Sequence, residues 1–167
     1  VAAHVATALF ARNIFDPMDY TPMAFGDIPN IKRVTENSFE LAESVLMISG
    51  VQHFAEIPEG MATAPEYVKD FLRELPREWD DVKFIDGYPG KFAVIARKAG
   101  DAWYVAGINA EKENKTLALD LSFAGDKQGT LIASGKGERD FAQQQVDNKS
   151  SHTITLRPSA GFVMILK

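Results

Sequence analysis

The residues of this 167-residue chain whose type and setting could serve a site lie mainly in its first sixty positions. In the stretch "RNIFDPMDYTP", Arg12 and Asp19 flank a Pro-Met segment. A guanidinium and a carboxylate so placed either offer hydrogen bonds to a ligand or pair with each other and brace the loop. Asp16, ahead of Pro17, reads as a turn residue. His53 follows Gln52 in a short apolar run, where a histidine is either a site residue or a satisfied core group. Glu56 and Glu59 come just after it and can present carboxylates to a ligand or simply to solvent. Trp79 and Trp103 are either an aromatic platform or core and interface residues. His152 sits among Ser and Thr on an expected strand and reads as solvated. The run "GYPG" at positions 87–90 lacks the Lys-Ser/Thr and the helix of a phosphate loop, so it is a turn. With no cysteine, disulfides and thiolate metal sites are excluded.

The elements that must position these residues change character along the chain. Val5–Ala11 reads as a short buried strand, followed by the Pro-rich loop. A helix is predicted over 35–49, with Asn37 and Glu40 at capping-box spacing and Gly50 as its stop. Val51–Ala55 reads as a second short strand. A second amphipathic helix is predicted over 65–75, with Tyr67, Val68, Phe71, Leu72 and Leu75 on one face and Pro76 closing it. Strand, loop, helix repeated twice is the pattern of parallel βα units. Two such units cannot complete a parallel sheet, so the chain reads as part of something longer, with the apolar faces of both helices uncovered.

From Asp81 onward the pattern becomes short strands separated by Gly, Asn and Ser, the mark of an antiparallel sandwich. Gly100-Asp101 joins two strands as a hairpin turn. "TLALDLSF" alternates, with Leu117, Leu119, Leu121 and Phe123 expected to face a core. The division is therefore 1–80 and 81–167. The formal net charge of −5 disfavours a phosphate-backbone partner. No apolar run approaches the roughly 20 residues that cross a bilayer as a helix.

Four segments in order, "FARNIFDPMDYTP", "SGVQHFAE", "KFIDGYPGKFAVIARKAGDAWYVAGIN" and "LDLSF", resemble the C-terminal part of glycoside hydrolase family 97, the α-glucosidases and α-galactosidases. The resemblance implies that 1–80 holds the last two βα units of a (β/α)8 barrel, with Val5–Ala11 as its seventh strand and Val51–Ala55 as its eighth. It implies an antiparallel C-terminal β-sandwich over 81–167, so that the fold class is α/β plus all-β. The implied activity is calcium-assisted hydrolysis of α-glycosidic bonds in oligosaccharides, in a periplasmic or secreted setting. The catalytic carboxylates and the calcium ligands are expected upstream of Val1, so this fragment alone is expected to be inactive. Its partners are then the oligosaccharide substrate and the remaining N-terminal part of the same protein. The substrate contacts implied are His4 at the mouth of the seventh strand, Arg12 and Asp19 on the loop that follows it, on the face where barrels assemble their sites, and His53 on the eighth strand. Ala3 stands where the family often carries a glutamate. The rival reading is a non-catalytic carbohydrate-binding or structural β-sandwich module, with Trp79 and Trp103 as its contacts.

Overall fold

A computed structural model describes residues 1–13, 16–21, 23–27, 29–147 and 151–167. Ile14, Phe15 and Pro22 of the "RNIFDPMDYTP" stretch therefore lie outside the described residues. Among the described residues eight strands follow four helices: α1 (Ala2–Ala11), α2 (Asn37–Leu46), α3 (Pro58–Thr63) and α4 (Glu66–Arg73), then β1 (Asp81–Tyr88), β2 (Phe92–Ala99), β3 (Ala102–Asn109), β4 (Lys115–Leu119), β5 (Gln128–Ser134), β6 (Phe141–Asp147), β7 (His152–Leu156) and β8 (Gly161–Leu166). The strands form a six-stranded sheet in the order β1-β2-β3-β8-β5-β6 and a two-stranded sheet of β4 and β7. Every pairing among the described residues is antiparallel.

The period-two alternation of the central strands creates two cores. On β2 and β3, Phe92, Val94, Ala96, Trp103 and Val105 point to one side, where Leu117, Leu119, Leu121, Ile154 and Leu156 close over them. Ala93, Tyr104, Ala106 and Ile108 point to the other, onto the helices. Two glycines have structural reasons. Gly100 takes φ +57° in the β2–β3 turn, a region L side chains rarely adopt. A Cβ at Gly107 would stand 2.5 Å from the Phe162 ring, so the β3–β8 pair needs glycine there.

The hairpin at Gly100, the antiparallel pattern of short strands from Asp81 onward and helix α4 are as the sequence predicts. Helix α4 starts behind Pro65, buries Val68 and Phe71, and ends before Pro76. Leu117, Leu119 and Leu121 are buried, but the strand stops at Leu119. Phe123 sits half-buried in a 3₁₀ turn, edge-on to Trp103.

Three expectations for the first eighty residues are corrected. Val5–Ala11 is not a strand but most of α1. Ala2, Ala3, Ala6, Ala8 and Ala11 are strong helix formers, and Val5, Ala6 and Leu9 bury a stripe at helical spacing. Val51–Ala55 is not a strand either: among the described residues no neighbour pairs with it, and Val51 and Phe54 are exposed. Helix α2 is shorter than 35–49, because the chain turns extended at Met47 before reaching Gly50. Its N-cap is Glu36, so Asn37 and Glu40 form no capping box.

The apolar face of α2 is also not left uncovered. The helix lies across β3 and β8, and Phe39, Leu41, Ala42, Val45 and Leu46 are almost wholly buried. Each large side chain so placed contributes about 1.5–3 kcal/mol relative to exposure. Close approach is possible because β8 begins with Gly161, where a Cβ would meet the Ser38 carbonyl at 2.9 Å and the Ala42 Cβ at 3.0 Å.

Candidate functional site

The residues singled out from the sequence do not converge. His4 lies exposed on α1, Arg12 exposed at its C-cap, Asp19 exposed in the following loop and His53 exposed beyond α2. Among the described residues no ion pair joins Arg12 to Asp19, so the brace does not form. Trp79 packs edge-on against Tyr104 at 5.3 Å, beneath the helices, and Trp103 is buried in the sandwich core.

What the fold does converge is a set of buried or half-buried carboxylates that hold the loops. Glu56 accepts from the backbone N–H groups of Phe25, Gly26 (3.1 Å) and Ile57 (2.9 Å). That approach requires Gly60, since a Cβ there would collide with the Glu56 carboxylate at 2.0 Å. Glu40 accepts from the Ala24 N–H at 3.3 Å and from the Thr35 hydroxyl. Arg33 donates to the carbonyls of Ala24 and Phe25 and to the Asn37 side chain, while its Nε is buried without a partner. Glu56, weighed above as a ligand carboxylate, is therefore spent on the backbone.

Deeper in the same layer lies Glu43, only 3% exposed. Burial, and then the nearby charge of Glu40, push its carboxyl well above the usual carboxylate range. The Tyr20 hydroxyl, its hydrogen-bond partner, is pushed far upward by its own burial and then by Glu43. A neutral Glu43 is thus the form that the fold favours.

Two arginines tie the helical layer to the sheet. Arg157, just beyond β7, grips Glu36 with Nε at 2.8 Å and Nη2 at 2.9 Å, and Ser134 donates to the same carboxylate. Arg97 on β2 donates to the carbonyls of Val45 (2.7 Å) and Leu46 (2.9 Å) at the C-terminal end of α2. Burial lowers the Arg97 pKa to about 10. Local sequence patterns could not reveal these partners, which lie 121 and about fifty positions apart. Among the described residues no group of three or more His, Cys, Asp or Glu is placed to hold a metal ion. The arrangement binds loops and helices together, and it presents no pair of carboxyl groups flanking a cleft among those contacts.

Residues 78–167 match the family model described as glycosyl-hydrolase 97 C-terminal, oligomerisation. A probable retaining α-galactosidase of Streptomyces bingchenggensis is 39% identical over 109 residues, covering 65% of this chain and 17% of that protein. A retaining α-galactosidase of Bacteroides thetaiotaomicron is 28% identical over 95% of this chain and 26% of that protein. Among solved structures, a β-arabinopyranosidase superposes with a TM-score of 0.89 at 31% identity, over 98% of this chain and 27% of its own. A family 97 enzyme from Pseudoalteromonas in complex with acarbose gives a TM-score of 0.85 at 25% identity, over 99% of this chain and 28% of its own. The chain thus spans between a sixth and under a third of the length of these relatives.

Proposed function

Because this chain belongs to glycoside hydrolase family 97, we propose that it is the C-terminal part of a retaining glycosidase that cleaves α-galactosidic bonds in oligosaccharides. The observation that carries the proposal is the 39% identity to a probable retaining α-galactosidase, together with the family match over the whole sandwich. Residues 1–80 are then the end of the catalytic portion. Supporting this, the likeness to solved relatives runs over 98–99% of the chain and is not confined to 78–167. On that reading the loops of 1–80 complete one side of the substrate site, and His4, Arg12, Asp19 and His53 are its proposed sugar contacts. This reading is preferred to a free-standing binding module because α2 and the sheet share one hydrophobic core.

The retaining mechanism needs two carboxyl groups about 5–5.5 Å apart, one as nucleophile and one as acid and then base. We assign both to the preceding polypeptide. Among the described residues no group of three or more His, Cys, Asp or Glu is placed to hold a metal ion, and a calcium requirement is proposed for the longer protein, with its ligands ahead of Val1. A periplasmic or secreted setting is proposed on the same family grounds. The second role, taken from the family description, is assembly between copies through residues 78–167.

Assaying the chain and the longer polypeptide with aryl α-galactoside and α-glucoside, with and without calcium, tests the catalytic reading. The chain alone is expected to show no turnover. The longer protein is expected to cleave the galactoside with net retention at the anomeric carbon, read by proton NMR. Turnover by the chain alone, abolished by replacing one of its own carboxylates, would overturn the assignment.

A further inference from the structure

Within residues 78–167, the large apolar side chains left exposed among the described residues are Val82, Phe84 and Tyr88, and all three belong to the edge strand β1. Val82 and Phe84 stand opposite Arg97 and Ile95, which places both on the helix side of the sheet. There they form one wall of a groove of about 300 Å³ whose other walls are Leu9, Phe10, Ile48 and Arg97. Phe10 of α1 meets Phe84 edge-on at 5.8 Å without covering it, and Phe84 remains 55% exposed.

Arg97, 4% exposed, commits its guanidinium to the two α2 carbonyls, so the surface that the groove offers is mainly apolar. Asp81 and Asp86 stand opposite Lys98 and Val94, on the other face of the strand from the apolar pair.

We propose that this groove is the contact between two copies of the chain, related by a twofold axis, with β1 of each copy seated in the groove of the other. The proposal rests on the reading of 78–167 as an assembly segment and adds the surface that does it. A twofold contact must be self-complementary, the same patch serving as both knob and hole. The α1–β1 groove meets that condition: β1 supplies the exposed Val82 and Phe84, and the groove beside it supplies the apolar recess.

Sedimentation equilibrium of the 167-residue chain from about 1 to 300 μM spans the affinities a specific dimer would show. The wild type is expected to dimerise and Phe84→Glu to remain monomeric, with circular dichroism unchanged. A wild type that stays monomeric throughout overturns both the assembly reading and this surface, and leaves the groove to the preceding polypeptide. Association that persists in a natively folded Phe84→Glu overturns the surface alone. Should Phe84→Glu fail to fold, the absence of native cysteine allows a second route. Val82→Cys is expected to give a disulfide-linked dimer on mild oxidation, and Gln144→Cys on the opposite edge strand is not. An associated Val82→Cys protein that does not cross-link overturns the surface.

Discussion

Residues 81–167 and residues 1–80 are held together in different ways. In the sandwich, order comes from repetition: ladders of antiparallel pairs and side chains that alternate between two cores. In the helical region the apolar payload is concentrated in α2, and the loops around it are fixed by single polar contacts from Glu36, Glu40, Glu56 and Arg33. A ladder spreads its stability over many similar bonds and tolerates the loss of one. A loop clamped by one buried carboxylate depends on that group. The two regions nevertheless share the sheet, because its second face is the floor on which α2 lies.

The strongest test of that sharing is Phe39→Ala. Phe39 is fully buried between α2 and the sheet, and deleting it should cost about 3–5 kcal/mol. Leu119→Ala, in the opposite core, should cost about 2–5 kcal/mol. If the regions are one cooperative unit, each variant lowers a single melting transition. Two transitions, with Phe39→Ala moving only one, would separate them. Hydrogen exchange sharpens the comparison further. The sequence alone suggests fast exchange throughout the helical half. The buried α2 is instead expected to be protected like β3 and β8, with fast exchange confined to α1 and to the exposed stretch around Val51 and Phe54.

What was legible in the sequence follows the same division. The β2–β3 hairpin announced itself through Gly100-Asp101, and β4 through its alternating leucines, because the ladder makes period two visible locally. Helix α4 was legible through its amphipathic stripe. Val5–Ala11 was not, since a short apolar run has no period that distinguishes a buried strand from an Ala-rich helix. Nor was the cover over α2, because the strands that supply it, β3 and β8, lie far along the chain from the helix. The candidate site fared worse for a related reason. Its exposed residues were named by type, whereas Glu36, Arg97 and Arg157 owe their roles to partners brought in by folding. Glu43 carried no signal at all beyond a carboxylate on the expected core face of a helix.

A moderate effect is expected at the bridge between the regions. Arg157→Met removes both hydrogen bonds to Glu36 and leaves that buried carboxylate with the Ser134 hydroxyl as its donor. The Arg157 side chain is 38% exposed, so solvent screening reduces the loss to about 1–3 kcal/mol. Adding Glu36→Gln to Arg157→Met should recover part of it, since the uncompensated charge is then gone. A double variant no more stable than Arg157→Met would show that packing, and not charge, makes the bridge.

The smallest change in stability, and the most specific in its pH signature, is expected from Glu43→Gln. The folded state raises the Glu43 pKa above its ordinary value of 4.5. Its contribution to stability is therefore complete below that value and is lost as pH rises toward the folded pKa, because the unfolded chain releases the proton first. Glutamine has nearly the same shape, and its amide can still hydrogen-bond to Tyr20. Near pH 4 the two proteins should therefore agree within about 1 kcal/mol, the scale of one hydrogen bond. As pH rises to about 8, the wild type should fall relative to the variant, so that Glu43→Gln becomes the more stable of the two. Taking the difference between the two urea-unfolding series cancels the titration of Glu36, Glu40 and Glu56, which both proteins retain. A difference that stays flat with pH, or that favours the wild type increasingly as pH rises, would mean that Glu43 is held as a charged carboxylate. The helical region would then contain a buried anion stabilised by its surroundings, and the contrast with the sandwich would have to be redrawn around that charge.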